Sequence, residues 1–256
     1  MHTIATLNAL KAHLNITQDN TAQDARLLGA LVAATHTLEA TCRRAFMPYY
    51  ASILHALPPH GSDTLIFADD LLRLDSITQG QEVLSAQDVY FLGDWQVRRR
   101  DGARLFTPFA QEDGAYVAGV WGWRKPPHEA WLSHADALAA SLTVDALTAF
   151  VADVDAPQAD GMPRFQVGQL LQLGEEFAHV IGVNASSNAL TLARGVRGTT
   201  ASAHPMGQAV HVFSPAPDVV QMCLAWAAWL YRDADAPAVP PPALTFALAP
   251  YVRAVV

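Results

Sequence analysis

Two hydrophobic periods share this chain, and their order constrains its fold more than any other feature. Near the start, Leu27, Leu31, Ala34, Leu38 and Cys42 recur at steps of three and four, with Leu28, Val32 and Thr35 widening the stripe. That spacing predicts an amphipathic helix of about five turns. It ends near Arg43 and Arg44, cations suited to a helix C-terminus. A shorter amphipathic pair of turns on Leu7, Leu10 and Leu14 precedes it and stops at Asn15. Between the two, Thr21-Ala-Gln-Asp24 predicts a capping-box start, in which side-chain oxygens satisfy free backbone N–H groups. Near the other end, Val219, Val220, Cys223, Leu224, Trp226, Ala227 and Leu230 repeat the helical period, with Pro217 and Asp218 as starting residues.

From Met47 onward the helical period is lost, and short β-branched and aromatic runs alternate with Gly, Asp and Pro. They predict strands over 49–57, 64–67, 71–78, 90–92, 96–99 and 115–123, with Asp101-Gly102 as a turn and Pro126-Pro127 closing the section. A second set is predicted over 140–144, 148–154, 170–173, 176–183, 189–194 and 209–213; its even spacing and small turns fit a small barrel or sandwich. After the last helix, residues 233–242 read as a stiff Pro-rich linker. Residues 244–256 form an apolar arm that either folds back or docks on another subunit. The order predicts an α+β molecule: a helical core with antiparallel β strands, formed by residues 1–136 with 214–232. Residues 137–213 are then an inserted all-β domain, and 233–256 a linker and arm.

Composition narrows the partners. The chain of 256 residues carries 24 acidic and 16 basic side chains, a net charge of −8, and no Lys/Arg-rich block. Wrapping a nucleic acid needs clustered cations, so that class is excluded, whereas an acidic wall would let DNA slide past. An apolar share of 51% with 16% charged residues marks a globular chain, and sparse charge fits surface covered by other subunits. Cys42 and Cys223 sit in helix-like apolar patterns and predict buried free thiols. The opening residues lack the pattern of a signal peptide, and no apolar run reaches membrane-spanning length, so a soluble protein of a reducing compartment is expected.

The chemistry-bearing residues do not converge. His128, Glu129 and His134 miss the His-Glu-x-x-His spacing of a zinc helix. His179 and His211 lie in predicted strands, facing a partly solvated sheet surface. Neither a Gly-x-Ser-x-Gly elbow nor a phosphate loop with its lysine occurs. Arg194-Gly-Val-Arg-Gly-Thr-Thr200 instead predicts a tight turn, with Gly195 and Gly198 in backbone angles other residues avoid and Arg197 as an anion candidate. In the adjacent pairs Asp69-Asp70 and Glu175-Glu176, strand neighbours point to opposite faces, so a solvated turn is the expected role. No catalytic residue, cofactor or metal ligand is assigned, and the chain is read as not an enzyme. Trp95, Trp121, Trp123 and Trp131 offer a separate reading, the stacking platform of a glycan- or ligand-binding β module.

Two ordered motifs carry more information. Residues 4–16, Asp24-Ala-Arg-Leu-Leu28 and Leu38-Glu-Ala-Thr-Cys-Arg-Arg-Ala-Phe46 resemble the opening of the tailed-bacteriophage head–tail connector family, also called head-completion or adaptor proteins. There a short helix on a Leu-x-x-Leu-Lys-x-x-Leu pattern precedes a longer one ending in a Thr-Gly-Arg-x-Phe-like motif. Here Cys42 and Arg43 stand before Arg44-Ala45-Phe46, a departure from that motif. Residues 71–78, 88–92, Val120-Trp-Gly-Trp123 and Ala225-Trp-Ala-Ala-Trp-Leu-Tyr-Arg232 resemble the family's middle section and closing helix. Residues 165–180 with 190–204, including Arg194-Gly-Val-Arg-Gly-Thr-Thr-Ala-Ser-Ala-His204, are similar to a β module that recurs in phage structural proteins.

That resemblance implies an assembly protein built on a helical connector core enlarged by the β module. Relatives form a homo-oligomeric ring, commonly of twelve copies, in the virion neck, assembled in the host cytoplasm. The implied partners are the portal protein above and the stopper or tail-completion protein below, with DNA passing through the channel without specific binding and no membrane involved. Heterologous contacts between helical cores would close the ring, with the β insertion displayed outward. By the same analogy Phe246, Tyr251 and Arg253 are candidate portal contacts. A tail-completion or decoration protein of the same particle is the alternative.

Overall fold

The stripe read from sequence builds the helical part of the molecule. The computed structural model describes residues 2–57, 60–102, 106, 114–157, 162–233 and 242–253. Helix α1 spans Leu7–His13, its first turn capped by Thr6 Oγ1 accepting from the Ala9 amide at 3.2 Å. Helix α2 spans Asp24–Cys42 and buries Leu27, Leu31, Ala34, Leu38 and Cys42 completely. The expected capping box does not form. The helix starts at Asp24 without a side-chain cap, and the Asp24 carboxylate instead pairs at 2.7 Å with Lys11, a buried ammonium that also donates to the Gln18 carbonyl.

The chain divides into two compact units, Met1–Met47 with His128–Val256, and Pro48–Pro127. The second contains β1 (Tyr49–Ala56), β2 (Thr64–Ile66), β3 (Leu71–Gln79), β4 (Glu82–Leu84), β5 (Val89–Phe91), β6 (Gln96–Arg99) and β7 (Gly114–Trp121). They form two antiparallel sheets, ordered β1-β7-β3-β4 and β2-β6-β5. In the first, Ile53, Val117, Ile77 and Leu84 make one cross-strand row facing the apolar core. The period-two alternation of the sequence sends the next row outward. Gly119 sits between two bulges of β3, where any Cβ would collide with the Arg73 carbonyl oxygen.

The first unit holds β8 (Trp131–Ala137), β9 (Thr148–Phe150), β10 (Leu170–Leu173), β11 (Glu176–Asn184), β12 (Ala189–Arg194) and β13 (Ala209–Phe213). Their order is β8-β13-β10-β11-β12-β9, and an antiparallel bridge between Leu138 and Val151 joins the two end strands, with Ala139 N donating to Phe150 O at 2.8 Å. The sheet therefore closes into a six-stranded barrel filled by Leu171, Leu173, Val180, Leu190, Leu192 and Val210, among others. Helix α3 (Pro217–Arg232) starts on Pro217 and packs against α1 and α2. A short α4 (Pro242–Leu248) follows. Cys42 and Cys223 are buried and free, as expected, and burial pushes both thiols up to about 11.

These observations correct the expected fold class. Three antiparallel sheets of thirteen strands dominate, and among the described residues the four helices form no helical connector core. The physical reason is burial: α1, α2 and α3 bury one stripe each, whereas two further apolar clusters draw most of their side chains from strands. The boundary expected at 136/137 falls inside β8, and α4 spans the end of the segment read as a linker and the start of the one read as an apolar arm. Residues 140–144 form no strand beyond an isolated bridge from Leu142 to His204. Most of the predicted linker, residues 234–241, lies outside the described residues.

Candidate functional site

The run Arg194–His204 is organised around a carboxylate. Glu176 opens β11 and continues the inward parity of Ala178 and Val180, as Arg194 does that of Leu190 and Leu192. Glu176 is 1% exposed. Its Oε1 accepts from Arg194 Nε at 2.8 Å and Gly195 N at 3.1 Å; its Oε2 accepts from Arg194 Nη2 at 2.5 Å and Ser202 N at 3.0 Å, and meets His204 Nε2 at 2.8 Å. Arg194 also reaches the carbonyls of Thr143, Ala146 and Ser202. Burial alone would raise the Glu176 carboxyl, but Arg194, the Ser202 amide and His204 hold it below its ordinary value. The expected solvated role is thus corrected for Glu176, while Glu175 is exposed. Gly195 and Gly198 take positive φ, +59° and +86°, as predicted. With its acceptor sites filled by five contacts, the carboxylate is a lock on the barrel's end and not a reactive group.

The candidate arm residues separate. Tyr251 donates its hydroxyl to the Asp218 carboxylate, which pushes the phenol up to about 12, and its carbonyl accepts from Arg44 Nε at 2.7 Å. Arg253 N donates to Cys42 O at 2.9 Å. Both residues therefore fold back on the ends of α2 and α3, whereas Phe246 is 85% exposed.

An exposed apolar row lies on the outer face of the β1-β7-β3-β4 sheet. Leu54 pairs with Tyr116, Tyr116 with Thr78, and Thr78 with Val83, so the four side chains form one cross-strand line. Leu54, Tyr116 and Val83 are 55%, 51% and 65% exposed. The tryptophan platform does not form as read: Trp121 and Trp123 are buried, and Trp121 Nε1 donates to Ala51 O at 3.0 Å.

Sequence reasoning missed a group of ionisable side chains beside α2. His36 and Glu39 stand three residues apart on that helix, and His2 joins them; one donor atom of each lies within 4.8 Å of the others. The His179 ring stacks on His2 at 6.5 Å. His179 is buried, correcting the expectation of a solvated face; burial above all, with neighbouring positive charge that includes His2 as a lesser cause, lowers it to about 4. Glu39 is held below its ordinary value, against the effect of burial, by His2 and the Met47 amide. The local signal was the His36-x-x-Glu39 spacing; its partners lie far off in sequence. His128 is exposed, and the side chain of His134 lies outside the described residues. The anion candidate Arg197 has φ +57° and donates to Met47 O at 2.6 Å.

Compared with protein-family models, curated proteins and solved structures, the chain matches none.

Proposed function

We propose that this chain is a structural protein of a tailed-phage virion that assembles as a ring in the neck, joining the portal of the DNA-filled head to the stopper or tail. The observation that carries the self-assembly is the exposed row Leu54–Tyr116–Thr78–Val83, because large apolar side chains aligned on an outer sheet face are stabilised by covering them. Ring contacts then run through this β face in place of a helical core. The motif order supports the particle: the Arg194–His204 run, similar to phage structural β modules, serves here as a barrel lock. The net charge of −8 suits a channel through which DNA slides. Of the arm, Phe246 is the remaining portal contact, since Tyr251 and Arg253 are engaged within the chain. Cryo-electron microscopy of the source particle tests the reading. The expected result is a ring of this chain between portal and tail. Density at the tail tip or capsid surface would replace it with the tail-completion or decoration role, and absence from particles would overturn it.

A further inference from the structure

The side chains gathered on α2 have the composition of a transition-metal site. His36 and Glu39 share a helix face because residues three apart are neighbours there. His2 is brought alongside by its own backbone: Ile4 N donates to Thr35 Oγ1 at 3.1 Å, tying the N-terminal segment to the helix. The Glu39 carboxylate is oriented before any ligand arrives. Its Oε1 accepts from the Phe46 and Met47 amides at 2.9 and 3.1 Å, and its Oε2 faces His2 Nε2 at 3.6 Å. The nitrogens around it are underused. His2 Nε2 is buried and makes no hydrogen bond, and neither does Nδ1 of His179, a side chain only 3% exposed. Buried polar atoms are normally satisfied, so the unpaired His2 nitrogen within the cluster points to a missing partner.

We propose that His2, His36 and Glu39 bind one zinc-like divalent cation, which clips the N-terminal segment onto α2. Two imidazoles and one carboxylate, with water in the fourth position, are the three-protein-ligand donor set of zinc, whereas calcium and magnesium seek oxygen shells. Tetrahedral bonds of about 2.0–2.2 Å place donor atoms roughly 3.3–3.6 Å apart. The three donor atoms, within 4.8 Å of one another, need a small closing movement to reach that spacing, and His36 is the exposed member of the three. The Phe46 and Met47 amides act as the outer support that fixes the carboxylate ligand. Nearby Arg197 carries a positive charge that opposes a cation at this site.

The test uses the full chain with an untagged N-terminus, stripped with chelator and titrated with Co2+ and then Zn2+. The expected result is one equivalent bound, with the strong visible absorption of tetrahedral cobalt, lost on Zn2+ addition. His36→Ala and Glu39→Gln should each weaken binding at least tenfold, while His211→Ala leaves it unchanged. Zn2+ at a hundredfold excess over its Kd should raise the thermal midpoint of the wild type by about 5–10 °C and that of His36→Ala not at all. Because His36 is exposed, its alanine variant folds normally. Binding that survives His36→Ala, or no stoichiometric binding at all, would overturn the site and leave a bare His2–Glu39 ion pair.

Discussion

A carboxylate taken out of water is tolerated only with its charge answered, and Glu176 is answered by Arg194, two backbone amides and His204. Glu176→Gln should cost about 3–5 kcal/mol at neutral pH, because it leaves the Arg194 guanidinium buried without its counter-charge. Urea denaturation of the two proteins measures it. The folded carboxyl lies below its ordinary 4.5, so its contribution is present above that value and is lost as pH falls through the folded value. The gap between wild type and variant should therefore narrow on acidification below about pH 4.5; a constant gap would mean that packing, not charge, is lost. The glycines of this lock were legible as turn residues, and the run Arg194–His204 as a unit. Glu176 was not. The first five residues of β11 are all buried, Ala178 and Val180 inside the barrel and His179 against His2, so the alternation that sorts strand faces is missing there.

At the scale of elements, the end of α2 shows why a motif can be matched in part. Arg44-Ala45-Phe46 has the Arg-x-Phe spacing, and its parts have tasks: Arg44 holds the Tyr251 carbonyl, and Phe46 is 1% exposed with its amide on Glu39. Arg43, standing where the motif has glycine, takes φ +52°, the left-handed position that ends the helix. That conformation costs a non-glycine residue roughly 1–2 kcal/mol, partly offset by the lower unfolded-state entropy of arginine. Arg43→Gly should thus stabilise by about 0.5–1 kcal/mol, read as a thermal midpoint raised by about 1–4 °C. No rise would place the strain elsewhere. The same reasoning explains which elements the sequence disclosed. Strands bounded by glycine or aspartate turns were read close to their observed limits, and the long stripes gave α2 and α3. β8 was missed because it follows Pro126-Pro127 and reads as loop, and α4 because seven residues hold too few turns to register a period.

For the whole molecule, local periodicity could identify strands but not decide what encloses the core. Helices at both ends of the chain invited a helical core with a β lobe, while the strands between them supply two apolar clusters large enough to be the cores themselves. The surface they leave is the last testable point. If the line Leu54–Tyr116–Thr78–Val83 joins copies of the chain, Leu54→Asp with Tyr116→Asp should convert the assembly to monomer, because each aspartate would be buried against an apolar neighbour. Both side chains are more than half exposed in the single chain, but the two aspartates would face one another across the β1–β7 pair, so that chain should lose about 1–2 kcal/mol and still fold, as circular dichroism would show. Met206→Asp, on a barrel side chain 70% exposed, is the matching control and should leave assembly intact. Salt separates the forces. Copies that each carry −8 repel one another, and an apolar contact is not screened, so raising ionic strength should favour the assembled form. Light scattering across a salt series measures both effects. Dissociation with rising salt would show that ion pairs hold the copies together, and a wild type monomeric at every concentration would remove the face from the ring.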